Sequence, residues 1–227
     1  MIPLLIAFTF PVFAAPRAIA FDFGGVMTLE ANHSSRVFNA AADFIKEYFH
    51  LSESEFAEMN HQRQLALEQG GSDEKFLTAF AKEKEIYLPD HWYQSFQTNV
   101  RSAAGMDIEM YKLVNELKPH IRVALLSNSD GQFTNLLRDC GIYEPFDPCL
   151  LSSEIGALKP DLKAYKILLS ELSLSPEEVI FIDDKIENVE AAKELGLDGI
   201  LFVSSEQIKD ELIKRQVLPR ANTKRNK

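Results

Sequence analysis

The sequence predicts an α/β fold, a doubly wound parallel sheet with an inserted α-helical domain. Three observations lead there. Short apolar runs rich in β-branched residues or Phe recur along the chain, as in "AIAFDF", "RVALL" and "VIFI". Stretches with apolar residues at helical spacing separate the later runs. About a hundred residues with helical but few strand signals lie between the first run and the second.

In order, the predicted strands are Ala18–Phe23, Arg122–Leu126, Pro148–Leu151, Val179–Ile182 and Gly199–Phe202. They are apolar throughout rather than alternating, as strands covered on both faces require. Helices are expected over Asp130–Cys140, Asp161–Leu172 and Ile186–Leu195, and Gly141 and Gly196 stand where two of them would be capped. Strand and helix alternating at this length imply parallel strands with helices on both faces.

The long intervening stretch reads as four helices, Ser34–Phe49, Ser52–Gln69, Ser72–Lys84 and Asp90–Arg101. Ser52 with Glu55 forms a capping box, and Ser34 precedes its run more loosely. Gly70-Gly71 and Leu88-Pro89 punctuate the series. A simple crossover helix does not need this length. Residues 30–104 are therefore read as a helical cap inserted into a core of residues 16–29 and 105–227, with Gly105 as the re-entry hinge. The aromatics Phe38, Phe44, Phe76, Phe80, Trp92 and Phe96 are expected to pack these helices together.

At 227 residues the chain holds one generous domain or a domain with an insertion. Its hydrophobic (46%) and charged (26%) fractions are those of a globular protein. A net charge of −10 argues against a nucleic-acid partner, since phosphate backbones need basic patches. The basic tail Lys224-Arg225-Asn226-Lys227 reads as a solvated end. No stretch has the length of a membrane span. Residues 1–15, "MIPLLIAFTFPVFAA", carry no charge and suit a signal-peptide core with Ala14 and Ala15 at a cleavage point, which would make the protein periplasmic or secreted. They lack a basic start and contain Pro3 and Pro11, so an extra apolar segment or a misplaced start, with a cytoplasmic protein, stands equally. Cys140 and Cys149 form no metal motif; they are free thiols, or a disulfide if the chain is exported.

In open α/β sheets ligands bind beyond the carboxyl ends of the strands. Asp22 ends the first run. "LLSNSD" brings Ser127 and Asn128 to the same edge, "SSEIGALKPD" brings Lys159, and "FIDDKIEN" brings Asp183, Asp184 and Asn188. This set suits attack by a carboxylate, with a cation offsetting crowded negative charge. Asp22 would attack and Asp184 would hold Mg2+, which prefers hard oxygen ligands. Ser127 and Asn128 would meet the transferring group, Lys159 would supply positive charge, and Gly24 and Gly25 would leave backbone N–H groups open to it. His33 is a titrating residue near the first of these segments, read as an ordinary loop histidine.

The four segments resemble, in order, the four motifs of the haloacid dehalogenase superfamily: "FDFGGVM", the hydroxyl of Ser127, the lysine of "KPD" and "IDDKIEN". The resemblance covers about Ala18 to Phe202 and implies a Rossmann-like core. It also implies a Mg2+-dependent phosphatase of a small phosphorylated metabolite, acting through an aspartyl-phosphate. It places the metal on Asp22, the Gly24 carbonyl, Asp184 and Asp183, with Asp184 facing it directly. One departure stands out: phosphatases of this family usually carry a second aspartate where this chain has Gly24, so general acid help of about 10²- to 10⁴-fold has no evident source. The alternatives are a dehalogenase-type hydrolase, or a ligand-binding protein that kept the site and lost turnover.

Overall fold

The computed structural model describes residues 15–29, 33–68, 71–129 and 131–219. The apolar segment 1–14, the first residues of the expected cap and the basic tail lie outside them. Five parallel strands form one sheet: β1 (Ala18–Phe21), β2 (Arg122–Ser127), β3 (Cys149–Leu151), β4 (Val179–Asp183) and β5 (Asp198–Leu201), in the order β3-β2-β1-β4-β5. The helices are α1 (His33–Phe49), α2 (Glu53–Glu68), α3 (Asp73–Glu83), α4 (Trp92–Ala104), α5 (Ile108–Leu117), α6 (Gly131–Asp139), α7 (Ser152–Ile155), α8 (Leu162–Leu172), α9 (Ile186–Glu194) and α10 (Ser205–Lys214). This is the doubly wound α/β fold expected.

Side chains of β1 alternate between two apolar layers, as a pleated strand requires. Ile19 and Phe21 join one layer, with Val123, Leu125, Ile180 and Ile182. Ala18 and Ala20 join the other, with Ala124, Phe181 and residues of α8 and α9 such as Tyr165 and Ala192. Alanines on that face let α8 and α9 approach closely. The first strand stops at Phe21, short of the expected Phe23. Asp22 still donates its N–H to Ile182 O at 2.8 Å, but Phe23 opens a turn closed by Met27 N–H to Phe23 O at 2.8 Å.

Helices α1 to α4 fall between β1 and α5. Their apolar faces merge with the Ile19/Phe21 layer, so Val37, Ile45, Met59, Leu77, Phe96 and Val100 share one cluster with Leu136 and Leu137 of α6. The expected aromatics pack here: Phe49 meets Phe80 and Trp92, and Phe44 meets Phe96, at ring separations of 5.5–6.3 Å. Phe38 differs, being 36% exposed. The Ser52–Glu55 capping box forms, with Ser52 N–H on Glu55 Oε2 at 2.9 Å and Glu55 N–H on Ser52 Oγ at 3.3 Å. The two chain crossings run antiparallel: Leu29 N–H donates to Gly105 O at 2.8 Å and Asp107 N–H to Met27 O at 2.9 Å. Gly105 caps α4 at φ +60, a conformation costly for side-chain-bearing residues.

Three helices not expected from the sequence are α5, the single-turn α7 and α10. Asp107 Oδ1 caps α5 by accepting from Glu109 N–H and Met110 N–H, and Ser204 Oγ caps α10 by accepting from Gln207 N–H. His33 begins α1 rather than lying in a loop, and its side chain is outside the description. Cys140 and Cys149 are free. Among the described residues no helix is long and apolar enough to cross a membrane.

Candidate active site

β1 is the central strand, and its carboxyl end faces the point where the chain switches from one half of the sheet to the other. Asp22 sits there, 7% exposed. Lys159 Nζ lies 2.7 Å from Asp22 Oδ1 and 2.7 Å from Asp183 Oδ2. The ammonium also lies 5.4 Å from the centre of the Phe181 ring. The lysine is itself buried, so its charge acts where water screens little.

Asp183 is fully buried at the end of β4 and saturated with donors. Oδ1 accepts from Lys185 N–H at 2.9 Å and from Asn188 Nδ2 at 3.0 Å; Oδ2 accepts from Lys159 Nζ and Asn188 Nδ2. Tyr165 Oη donates to Asn188 O at 2.8 Å, tying α8 to the first turn of α9. Asp183 therefore anchors Lys159, while also standing in the carboxylate cluster expected to hold the metal. Asp184 is the opposite case: its Oδ1 is buried with no hydrogen-bond partner.

Asp22, Asp183 and Asp184 each bring a carboxylate oxygen within 4.8 Å of the others. Burial pushes the Asp22 carboxyl up to about 6, the Lys159 charge opposing this and Asp183 adding to it. Asp184 is raised as well, by burial first and then by Asp183. Three carboxylates meet the Lys159 ammonium, with the Lys185 charge also acting on Asp184, which leaves net negative charge for a divalent cation to offset. The all-oxygen donor set and the partnerless Asp184 oxygen fit such an ion.

Ser127 is 5% exposed at the end of β2, on the same edge. Asn128 departs from expectation. Its Nδ2 donates to Lys159 O and its Oδ1 accepts from Lys159 N–H, both at 2.8 Å, so the carboxamide positions the lysine's main chain instead of pointing at a transferring group. Gly25 also departs. Its N–H is not left open but donates to Thr28 Oγ1 at 3.1 Å. What Gly25 supplies is space: at φ +80, a Cβ there would stand 2.8 Å from Asp184 Cγ. Gly24 lies half-buried in the turn between them.

Sequence reasoning missed Thr28, Tyr165 and the Lys185 N–H. Thr28 shows as a lone hydroxyl after the apolar pair Val26-Met27, and it is 2% exposed. Tyr165 is a polar tip on the apolar face of α8, and a main-chain N–H leaves no trace in sequence.

The haloacid dehalogenase-like hydrolase family model matches residues 16–196. Sesquiterpene phosphatase astK of Aspergillus oryzae is 35% identical over 101 residues, 44% of this chain and 52% of that protein. The chain spans 23% and 52% of the length of the first two curated relatives it matches. A predicted HAD-like family hydrolase from Porphyromonas gingivalis superposes at a TM-score of 0.52 with 25% identity, over 88% of this chain and 99% of that one. The HAD-hydrolase YfnB of Bacillus subtilis, solved bound to magnesium, superposes at 0.52 with 15% identity, over 88% and 99%. With four strand-end segments meeting around Asp22 and a family match across most of its length, the chain belongs to the haloacid dehalogenase-like hydrolases.

Proposed function

We propose that the chain is a Mg2+-dependent phosphatase that hydrolyses a small phosphate monoester through Asp22. The observation that carries this is the split between the paired carboxylates: Asp183 is saturated by Lys159, Asn188 and the Lys185 N–H, while Asp184 Oδ1 is buried without a partner. A dehalogenase has no use for that idle oxygen. The phosphatase named among the relatives favours the same chemistry.

Asp22, Asp184 and the Gly24 carbonyl would hold the ion, with Asp183 behind Lys159. When bound, the ion neutralises charge on the phosphoryl oxygens. An Asp22 oxygen attacks phosphorus, the bond to the leaving oxygen breaks, and an acyl phosphate forms on Asp22. Lys159 keeps Asp22 ionised and oriented, and Ser127 donates to a phosphoryl oxygen. Water then attacks phosphorus, releasing phosphate and restoring the carboxylate. With Gly24 in place of a carboxylic acid, the departing oxygen takes its proton from solvent. Leaving groups that need little protonation, such as phenols, anomeric hydroxyls or acids, are therefore favoured.

Residues 30–104 act in this reading as a cap over a core of 16–29 and 105–227. The apolar residues ahead of β1 fit an export signal, which N-terminal sequencing of protein from the native host tests. The function itself is tested by phosphate release from a panel of phosphorylated metabolites, with Mg2+ and with chelator. Release that needs Mg2+ and disappears in Asp22→Asn is expected; release unaffected by either change would refute it.

A further inference from the structure

The loops that carry the candidate catalytic groups also carry large apolar side chains turned to solvent. Leu158, directly before Lys159, is 59% exposed, and Ile186, just after Asp184, is 52% exposed. Leu29, on the crossing that follows the Asp22 turn, is 70% exposed. Single exposed leucines are ordinary on protein surfaces. Here three such residues leave three different strands at one edge of one sheet, each within a few residues of a group in the Asp22–Lys159–Asp183–Asp184 cluster.

For Leu158 and Ile186 the distance from that cluster is bounded by bonds already described. Lys159 reaches both Asp22 and Asp183 with its own side chain, so Leu158 stands beside the site. The Lys185 N–H bonds Asp183, so Ile186 begins α9 one residue away from it. Leu29 is fixed by its N–H on Gly105 O. The cluster is charged, and exposed apolar side chains stand one residue from Lys159 and two from Asp184 on the segments that carry it. A ligand that satisfies both has a phosphate at one end and hydrocarbon starting close to it.

We infer that the substrate is an amphiphilic phosphate monoester, the ester of an apolar alcohol or phenol, whose hydrocarbon lies against Leu29, Leu158 and Ile186. This rests on the phosphatase reading above and narrows its substrate class. A fully buried methylene is worth about fourfold in affinity, and a half-open rim returns a part of that for each carbon. Lengthening the hydrocarbon should then raise kcat/KM without altering the chemistry.

The test uses 4-methyl-, 4-butyl- and 4-octylphenyl phosphate below their micelle concentrations, with Mg2+ and the full chain. Their leaving groups are nearly equal in acidity, so only apolar length varies. From methyl to octyl, kcat/KM is expected to rise roughly tenfold or more. Leu158→Ser and Ile186→Ser should each flatten that rise, whereas Leu65→Ser, an exposed leucine of α2, should preserve it. Asp22-dependent hydrolysis of all three esters at equal kcat/KM would overturn the inference and leave the phosphatase reading standing. The same rise persisting in both rim variants would overturn it too. No hydrolysis of any ester, with no phosphoryl group on Asp22, would overturn both.

Discussion

Lys159 places its ammonium 2.7 Å from Oδ1 of Asp22, and holds Asp183 at the same distance on its other side. Both carboxylates are buried, so the lysine is their principal counter-charge. Replacing it by methionine keeps the length and removes the charge. Lys159→Met should lose phosphatase turnover and cost about 3–5 kcal/mol of stability, as breaking a buried pair does. Urea unfolding measures this, and a loss below about 1 kcal/mol would mean the carboxylates find other compensation.

Asp183 and Asp184 should respond differently to the same substitution. Asp184→Ala removes the partnerless oxygen and should weaken Mg2+ binding more than Asp183→Ala does. Asp183→Ala instead removes the acceptor of the Asn188 carboxamide and one of Lys159's two carboxylates, and should lower the melting temperature more in chelator. Calorimetric Mg2+ titration with paired melts ranks the two, and equal losses of Mg2+ affinity would show that both carboxylates share the ion.

The sheet and the identity of the site's segments were legible because each depends on local pattern. Continuous apolar runs ending in Asp22, Ser127 and Asp183 mark strands whose ends meet. The long helical interval and its Ser52–Glu55 cap were equally plain. What a sequence does not show is which partner a polar group takes across space. Asn128 faces Lys159's main chain because the loops after β2 and β3 lie side by side, and Gly25 spends its N–H on Thr28 because the turn after Asp22 curls back. Helices α5 and α10 escaped although their caps, Asp107 and Ser204, stand in the sequence. In α5 the spacing of Met110, Leu113, Val114 and Leu117 was there to be read.

The short turn before β4 supplies a pH dependence. Glu178 accepts from Ser175 N–H at 3.0 Å, Ser175 Oγ at 2.8 Å and Arg17 at 3.0 Å, and these bonds hold its carboxyl down near about 2, against an ordinary 4.5. The folded value lies below the unfolded one. Its stabilisation is therefore present above about pH 4.5 and is lost as pH falls toward 2. Melting curves of Glu178→Gln should show a shallower loss of stability across that window than the parent protein. Parallel curves would remove Glu178 from the acid transition.

A second buried pair ties α2 to the start of α3. Arg63 of α2 donates to Asn60 Oδ1 at 2.9 Å and pairs with Asp73, which is wholly buried with Oδ2 partnerless. Arg63→Met should destabilise the protein by about 3–5 kcal/mol by stranding that carboxylate. Adding Asp73→Leu should recover much of the loss, because the uncompensated charge goes with it. A double variant no more stable than the single one would contradict this.

The central claim is that Asp22 takes the phosphoryl group, and one measurement addresses it directly. The Mg2+-loaded protein is mixed with a hydrolysed phosphate ester, quenched in acid within a turnover, and digested for mass spectrometry. The proposed chemistry requires the mass of one phosphoryl group on the peptide containing Asp22, and none on that peptide from Asp22→Asn, which should also fail to release phosphate. Steady phosphate release by Asp22→Asn, or a phosphoryl group carried on another residue, would contradict it.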